Sequence, residues 1–262
     1  MKEYSFHKAL SKTLAHVNSK ENLDKCVPFE ELNQKYALLA RKYANSYCDL
    51  YIGIASRIHR REYSRGGKNL HLGYYSPSLT DLVTGNCSRG KLYKRIPTKN
   101  TYNFEYLFDE DGRLICVNEY SKGCGNDDFR IVSTEFLIYE GNTVTTFLYA
   151  ISPCTNEIPN SLILITKSEY SDGQITRHEE VLCALSCTDN SCSEINTEDY
   201  EYSDKKLKKL LCSSYTPPKS IIITEYSFDT DADGQPSAYK SEQLWPPLYY
   251  PRHDTVYKVN RK

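Results

Sequence analysis

The sequence is poor in several features that mark large protein classes. Among 262 residues there are one methionine and one tryptophan. No window approaches the roughly 20 consecutive apolar residues of a membrane helix, so no helical membrane span is expected. The opening stretch MKEYSFHKALSKTLAHVNSK has no apolar core of a secretion leader, and the expectation is a cytoplasmic chain away from any membrane. None of the six histidines (His7, His16, His59, His71, His178 and His253) sits in a Gly-x-Ser-x-Gly elbow or a Cys-His signature. No catalytic set emerges, and neither enzymatic activity nor a cofactor is expected.

Net charge is also scarce, at −1, but this hides a polarity. Residues 1–100 carry 18 Lys+Arg against 8 Asp+Glu, whereas residues 101–262 carry 15 against 26. Such halves either attract each other or face different partners. The 10 cysteines in a chain without a leader read as reduced thiols. Cys183, Cys187 and Cys192, with His178 and Cys212 nearby, are the residues a metal would take. Their spacing misses the paired C-x2-C knuckles of zinc sites, so no metal is assigned and small buried thiols are the competing reading.

What the chain has in excess is tyrosine, 23 residues, which suits half-buried strands. Its periodicity divides it in two. Phe6, Leu10, Leu14 and Val17 mark a short amphipathic helix over 4–18. A second, very long helix is expected from Pro28 to about residue 62. Phe29, Leu32, Tyr36, Leu39, Tyr43, Tyr47, Leu50, Ile54 and Ile58 form its stripe, and Gly66 and Gly67 stop the segment. Residues 1–67 are thus read as helical. The long stripe needs an extended surface, either a sheet or a second copy in a homodimer.

From residue 101 the period becomes 2, as in TYNFEYLF. Tyrosine-bearing segments recur, aligned on Tyr106, Tyr139, Tyr170, Tyr202 and Tyr226 at separations of 33, 31, 32 and 24 residues. Each unit has room for two strands and two turns. The expected fold class is therefore α+β: N-terminal helices on an antiparallel β-meander of repeated hairpins over 68–262, in one continuous domain.

FDEDGRLICV (108–117) resembles the YD repeat of Rhs and teneurin-type proteins. Phe108 stands at the aromatic position, Asp109 at the Asp, and Gly112, Arg113 and Leu114 complete the motif. EYSDGQI (169–175) has Gln174 in place of the Arg, and EYSDKKL (201–207) lacks the Gly. Five hairpins cannot enclose a toxin as an Rhs shell does. A small chain of this kind is similar instead to the bacterial immunity proteins of polymorphic toxins. That resemblance implies a non-catalytic protein that occludes a cognate basic toxin. The partner-binding candidates are the turn-associated carboxylates Asp109, Glu110, Asp111, Asp127, Asp128, Asp172, Asp199, Glu201 and Asp204, which would form a negative rim. The competing reading is nucleic-acid binding through Arg57, Arg60, Arg61, Arg65, Lys91, Lys94 and Arg95, cations interleaved with tyrosines.

Overall fold

The computed structural model describes residues 16–66, 78–79, 90–97, 102–122, 129–150, 161–183, 192–231, 236–245 and 257–258. Among the described residues, two complete helices are followed by thirteen strands: α1 (Lys20–Tyr43), α2 (Tyr47–Ala55), β1 (Arg60–Gly66), β2 (Gly90–Leu92), β3 (Phe104–Phe108), β4 (Leu114–Lys122), β5 (Phe129–Glu140), β6 (Thr143–Ala150), β7 (Ser161–Ser171), β8 (Gln174–Cys183), β9 (Cys192–Ser203), β10 (Lys206–Thr216), β11 (Ser220–Thr230), β12 (Pro236–Trp245) and β13 (Tyr257–Lys258).

All thirteen strands form one sheet in the order β13-β12-β11-β10-β9-β8-β7-β6-β5-β4-β3-β1-β2. Every pairing is antiparallel, so β3 to β13 is an uninterrupted meander. The chain is mostly β, and the two helices are an addition to one long sheet.

The hairpin turns follow from local chemistry. Asp172 (φ 50°) and Gly173 (φ 76°) close β7–β8 as the two left-handed residues of a type I′ turn, and Asp204 (φ 51°) and Lys205 (φ 63°) do the same for β9–β10. In the longer β3–β4 loop, Asp109 Oδ1 accepts from the Arg113 backbone N–H at 2.8 Å.

The long helix differs from its expected form at both ends. It begins at Lys20, because Ser19 caps it by accepting from Asn22 N–H at 3.2 Å; Pro28 lies inside it. The stretch NSKENLDKC reads as a break because its residues are polar. Yet Asn22 is buried, its side chain donating to Val17 O (2.9 Å) and Lys219 O (2.8 Å) and accepting from Trp245 Nε1 (3.0 Å). The rod then breaks at Ala44–Ser46 and α2 ends at Ala55. Arg60 to Gly66, expected within the helical part, is strand β1. Of the expected 4–18 helix, His16 and Val17 are helical and residues 4–15 lie outside the described residues.

The helices cross the strands. Trp245 of β12 meets Asn22; Phe29 packs on Tyr215 of β10 (5.5 Å); Asn33 accepts from Cys192 N of β9 (2.9 Å). Tyr36 donates to Glu179 of β8 (2.5 Å), Tyr43 stacks on Phe147 of β6 (4.0 Å), Tyr47 meets Phe136 of β5 (5.6 Å), and Arg57 pairs with Asp109 after β3 (3.3 Å). A 24-residue helix is about 36 Å long, enough for about seven strands spaced about 4.8 Å apart. Phe29, Tyr36, Tyr47 and Ile54 of the helical stripe are buried in the main core cluster, and Leu32, Leu39, Tyr43, Leu50 and Ile58 pack against it partly buried, with Leu107, Ile115, Phe136, Phe147, Tyr149, Ile165, Val181 and Ile195 beneath them. Fully burying each such side chain contributes about 1.5–3 kcal/mol.

Candidate partner-binding edge and cleft

Alternation sends every second residue of the meander to the face without helices. On β5, Phe136 and Ile138 join the helical core, while Glu135, Leu137 and Tyr139 turn the other way. Two small apolar clusters form on that side: Phe104, Tyr106, Phe108, Leu114 and Val117 with Leu137, and Leu207, Leu210, Phe228 and Tyr239 with Tyr200, Tyr202 and Tyr226.

Next to the first cluster lies a cleft of about 520 Å³, within the range of ligand and side-chain pockets. Its walls are apolar, with Phe108, Leu114, Val117, Leu137, Val144, Tyr139 and Tyr170. Its polar lining is Glu135, Thr146, Thr166 and Ser168; Thr146 donates to Glu135 Oε1 at 2.7 Å, and the Thr146 and Thr166 hydroxyls bond at 2.9 Å. Tyr139 donates to Leu114 O at 2.8 Å, and burial, with Tyr170 and Asp109 nearby, pushes its phenol up to about 12. Gly112, Arg113, Gly141, Asn142 and Gly173 complete the lining, so the cleft reaches the edge of the sheet where the hairpins turn. A second cavity of about 240 Å³ lies further along the same face, among His178, Glu180, Glu198, Cys212 and Tyr226. There Glu198 accepts from the Ser78 hydroxyl (2.7 Å), the Leu79 N–H (3.0 Å) and the Tyr200 hydroxyl, tying residues 78–79 to the sheet.

The predicted carboxylates divide into four sets. Glu110, Asp111, Asp172 and Asp204 occupy tips of the β3–β4, β7–β8 and β9–β10 turns along one edge, all exposed. Neighbouring tips touch: Gln174 Nε2 donates to Lys205 O at 2.9 Å. Asp109 belongs to the same turn but is buried, capping its loop and pairing with Arg57. Asp199 and Glu201 are strand residues on the helix-bearing face, Asp199 bound to Arg177 at 2.5 Å. Asp127 and Asp128 lie outside the described residues. The edge also carries cations, Lys205, Lys206 and Arg113, the last 3.7 Å from Asp111.

Of the predicted basic set, three members are engaged inside the chain. Arg57 pairs with Asp109; Arg60 pairs with Glu62 and lies 4.0 Å over the Phe108 ring; Arg61 binds Glu105 at 2.6 Å. Glu105 is a buried carboxylate that also accepts from Tyr63 (3.2 Å), Asn118 (3.0 Å) and Tyr120 (3.0 Å). Burial and Glu105 together raise the phenols of Tyr63 and Tyr120. Arg65 faces Lys91 across the outermost strand pair, and Lys94 and Arg95 follow β2, all exposed.

Among the described residues no group of three or more His, Cys, Asp or Glu side chains is placed to hold a metal ion. Cys183 and Cys192 face each other across β8 and β9, Cys212 points to the opposite face, and Cys187 lies outside the described residues. No described helix is long and apolar enough to cross a membrane.

Fold and site together define a helix-backed antiparallel meander with an open cleft beside its turn edge. No protein-family model matches the chain, and no curated protein does. Among solved structures it is similar to a protein of unknown function from Bacteroides fragilis. The identity is 12% over 52% of this chain and 87% of that one, with a TM-score of 0.22, a likeness too distant to carry an argument.

Proposed function

We propose that this chain is a non-catalytic binding protein of the immunity type, which occludes a basic protein partner at its turn edge. One observation carries the reading: exposed carboxylates Glu110, Asp111, Asp172 and Asp204 share one edge with an open cleft walled by Phe108, Tyr139 and Tyr170. An acidic rim steers a cationic partner and raises its association rate, and aromatic walls supply packing area at little entropic cost. The cleft lies on the face opposite the helices, so docking there leaves the main core undisturbed.

The test is cross-linking of the full chain in its native host, with the links mapped by mass spectrometry. The expected result is a basic partner linked at residues 109–113, 139–144, 170–174 and 203–206. Its association rate should fall at least about tenfold in Glu110→Lys/Asp172→Lys/Asp204→Lys, and with rising salt. An acidic partner, or links confined to the helix-bearing face, would overturn the reading. Retention on DNA at low salt that Lys91→Glu/Arg95→Glu abolishes would favour nucleic-acid binding instead.

A further inference from the structure

We propose that Cys183 and Cys192 form an oxidation site, a thiol pair that closes into a cross-strand disulfide on exchange with a disulfide oxidant such as oxidised glutathione. The two residues are direct partners in the β8–β9 register. Both are thiols in this structure, both are buried, and both belong to the core cluster under α1, so their side chains share one face. Directly opposed residues of an antiparallel pair have Cβ atoms about 4.5–5.5 Å apart, and a disulfide requires about 3.5–4.5 Å, so a small adjustment suffices.

Two local features favour that adjustment. The Cys192 N–H donates to Asn33 Oδ1 at 2.9 Å, so the pair is not closed by reciprocal ladder bonds. Pairs of that kind sit closer, with Cα atoms about 4.5 Å apart. The register also shifts between Leu182 and Cys183, and an irregular ladder yields more easily than a regular one. The position supplies access, because strand ends open most readily and the pair ends β8 and begins β9. Other described thiols are badly placed: Cys212 is on the opposite face, Cys26 and Cys116 sit on α1 and β4, and Cys48 is exposed on α2.

The exchange balances without any further reactant. One cysteine thiolate attacks glutathione disulfide, forming a mixed disulfide and releasing one glutathione thiolate. The second cysteine thiolate then attacks the protein sulfur, forming the Cys183–Cys192 bond and releasing the other glutathione. The two protein thiols lose two protons and two electrons, and the electrons reside in the two glutathione thiols. The bond would staple the ends of β8 and β9 where Asn33 of α1 latches onto them.

The experiment equilibrates the reduced full chain with glutathione at a series of thiol-to-disulfide ratios. Samples are quenched with iodoacetamide, digested without reduction and mapped by mass spectrometry. The expected result is a linked peptide joining Cys183 to Cys192, lighter by two hydrogens than the separate peptides. It should accumulate as oxidised glutathione rises and vanish with dithiothreitol. Alkylation of both cysteines at every ratio, mixed glutathione disulfides alone, or linkage of either cysteine to Cys187 instead would each overturn the proposal. The wild-type chain decides the matter, so the outcome does not depend on how Cys183→Ser folds.

Discussion

Tyr36 shows how much one hydroxyl can organise. It is fully buried on α1 and donates to Glu179, which also accepts from Arg177 Nε at 2.8 Å. Burial alone would raise the Glu179 carboxyl, but these two hydrogen bonds and the Arg177 charge hold it below its ordinary value of 4.5. A depressed carboxyl contributes stability above its unfolded pKa, and that contribution is lost as pH falls through the folded one. Tyr36→Phe should therefore cost about 1.5–3 kcal/mol at neutral pH, with the difference from wild type shrinking as pH drops below about 4.5. Chemical denaturation at a series of pH values measures this. A gap that stays constant down to acid pH would show that the hydroxyl does not act through the ionised carboxylate. Asp109 makes a related point: the same residue type at a turn can be a loop cap, bound to Arg57, as readily as a free carboxylate on a rim.

Turns and helix ends behave as separable units. Apart from its chain neighbours, no heavy atom comes within 4 Å of where a Gly173 side chain would begin, so Gly173→Ala meets only the backbone penalty of its positive φ. A loss of about 1 kcal/mol is expected. Lys205 holds the corresponding position of the next hairpin at φ 63°, and Lys205→Gly should gain up to about 1 kcal/mol. Opposite shifts of the two denaturation midpoints would verify the shared turn type; equal signs would refute it. At the start of α1, Asn22 joins helix, β10–β11 connection and β12 in one set of buried hydrogen bonds. Asn22→Ala leaves Lys219 O and Trp245 Nε1 without this partner and should cost about 3 kcal/mol, measured in the same way.

At the scale of the whole molecule, a sheet this long keeps most of its tyrosines partly out of water. Burial pushes Tyr139, Tyr202, Tyr215 and Tyr226 up to about 12, and raises Tyr36, Tyr149 and Tyr200 as well. A phenol whose folded pKa is raised stays protonated in the fold while the unfolded chain ionises. Stability should thus decline as pH climbs from about 10 through 12. Phenolate absorbance of the folded protein should stop short of its 23 tyrosines at about pH 11, and denaturant should release the remainder. Full ionisation at that pH without loss of structure would contradict the packing of these rings.

The sequence by itself determined the two regimes of the fold. A three-and-four stripe from Phe29 to Ile54 buries itself as helix on a surface, and alternation from residue 102 onward buries itself as strands. Both patterns are local periodicities, which is why they were legible. The tertiary structure decided what depends on distant partners. Asn22 is polar yet lies inside a helix, because Lys219 and Trp245, some 200 residues away, satisfy it. Tyr106 and Tyr226 stand further from the turn ends of their strands than Tyr139, Tyr170 and Tyr202 do, because turn lengths reset the register. Arg61 reads as a surface cation until Glu105, on the neighbouring strand, claims it. The cleft had no signature in the sequence: its walls come from five strands, and only cross-strand register brings alternate residues of those strands to one face.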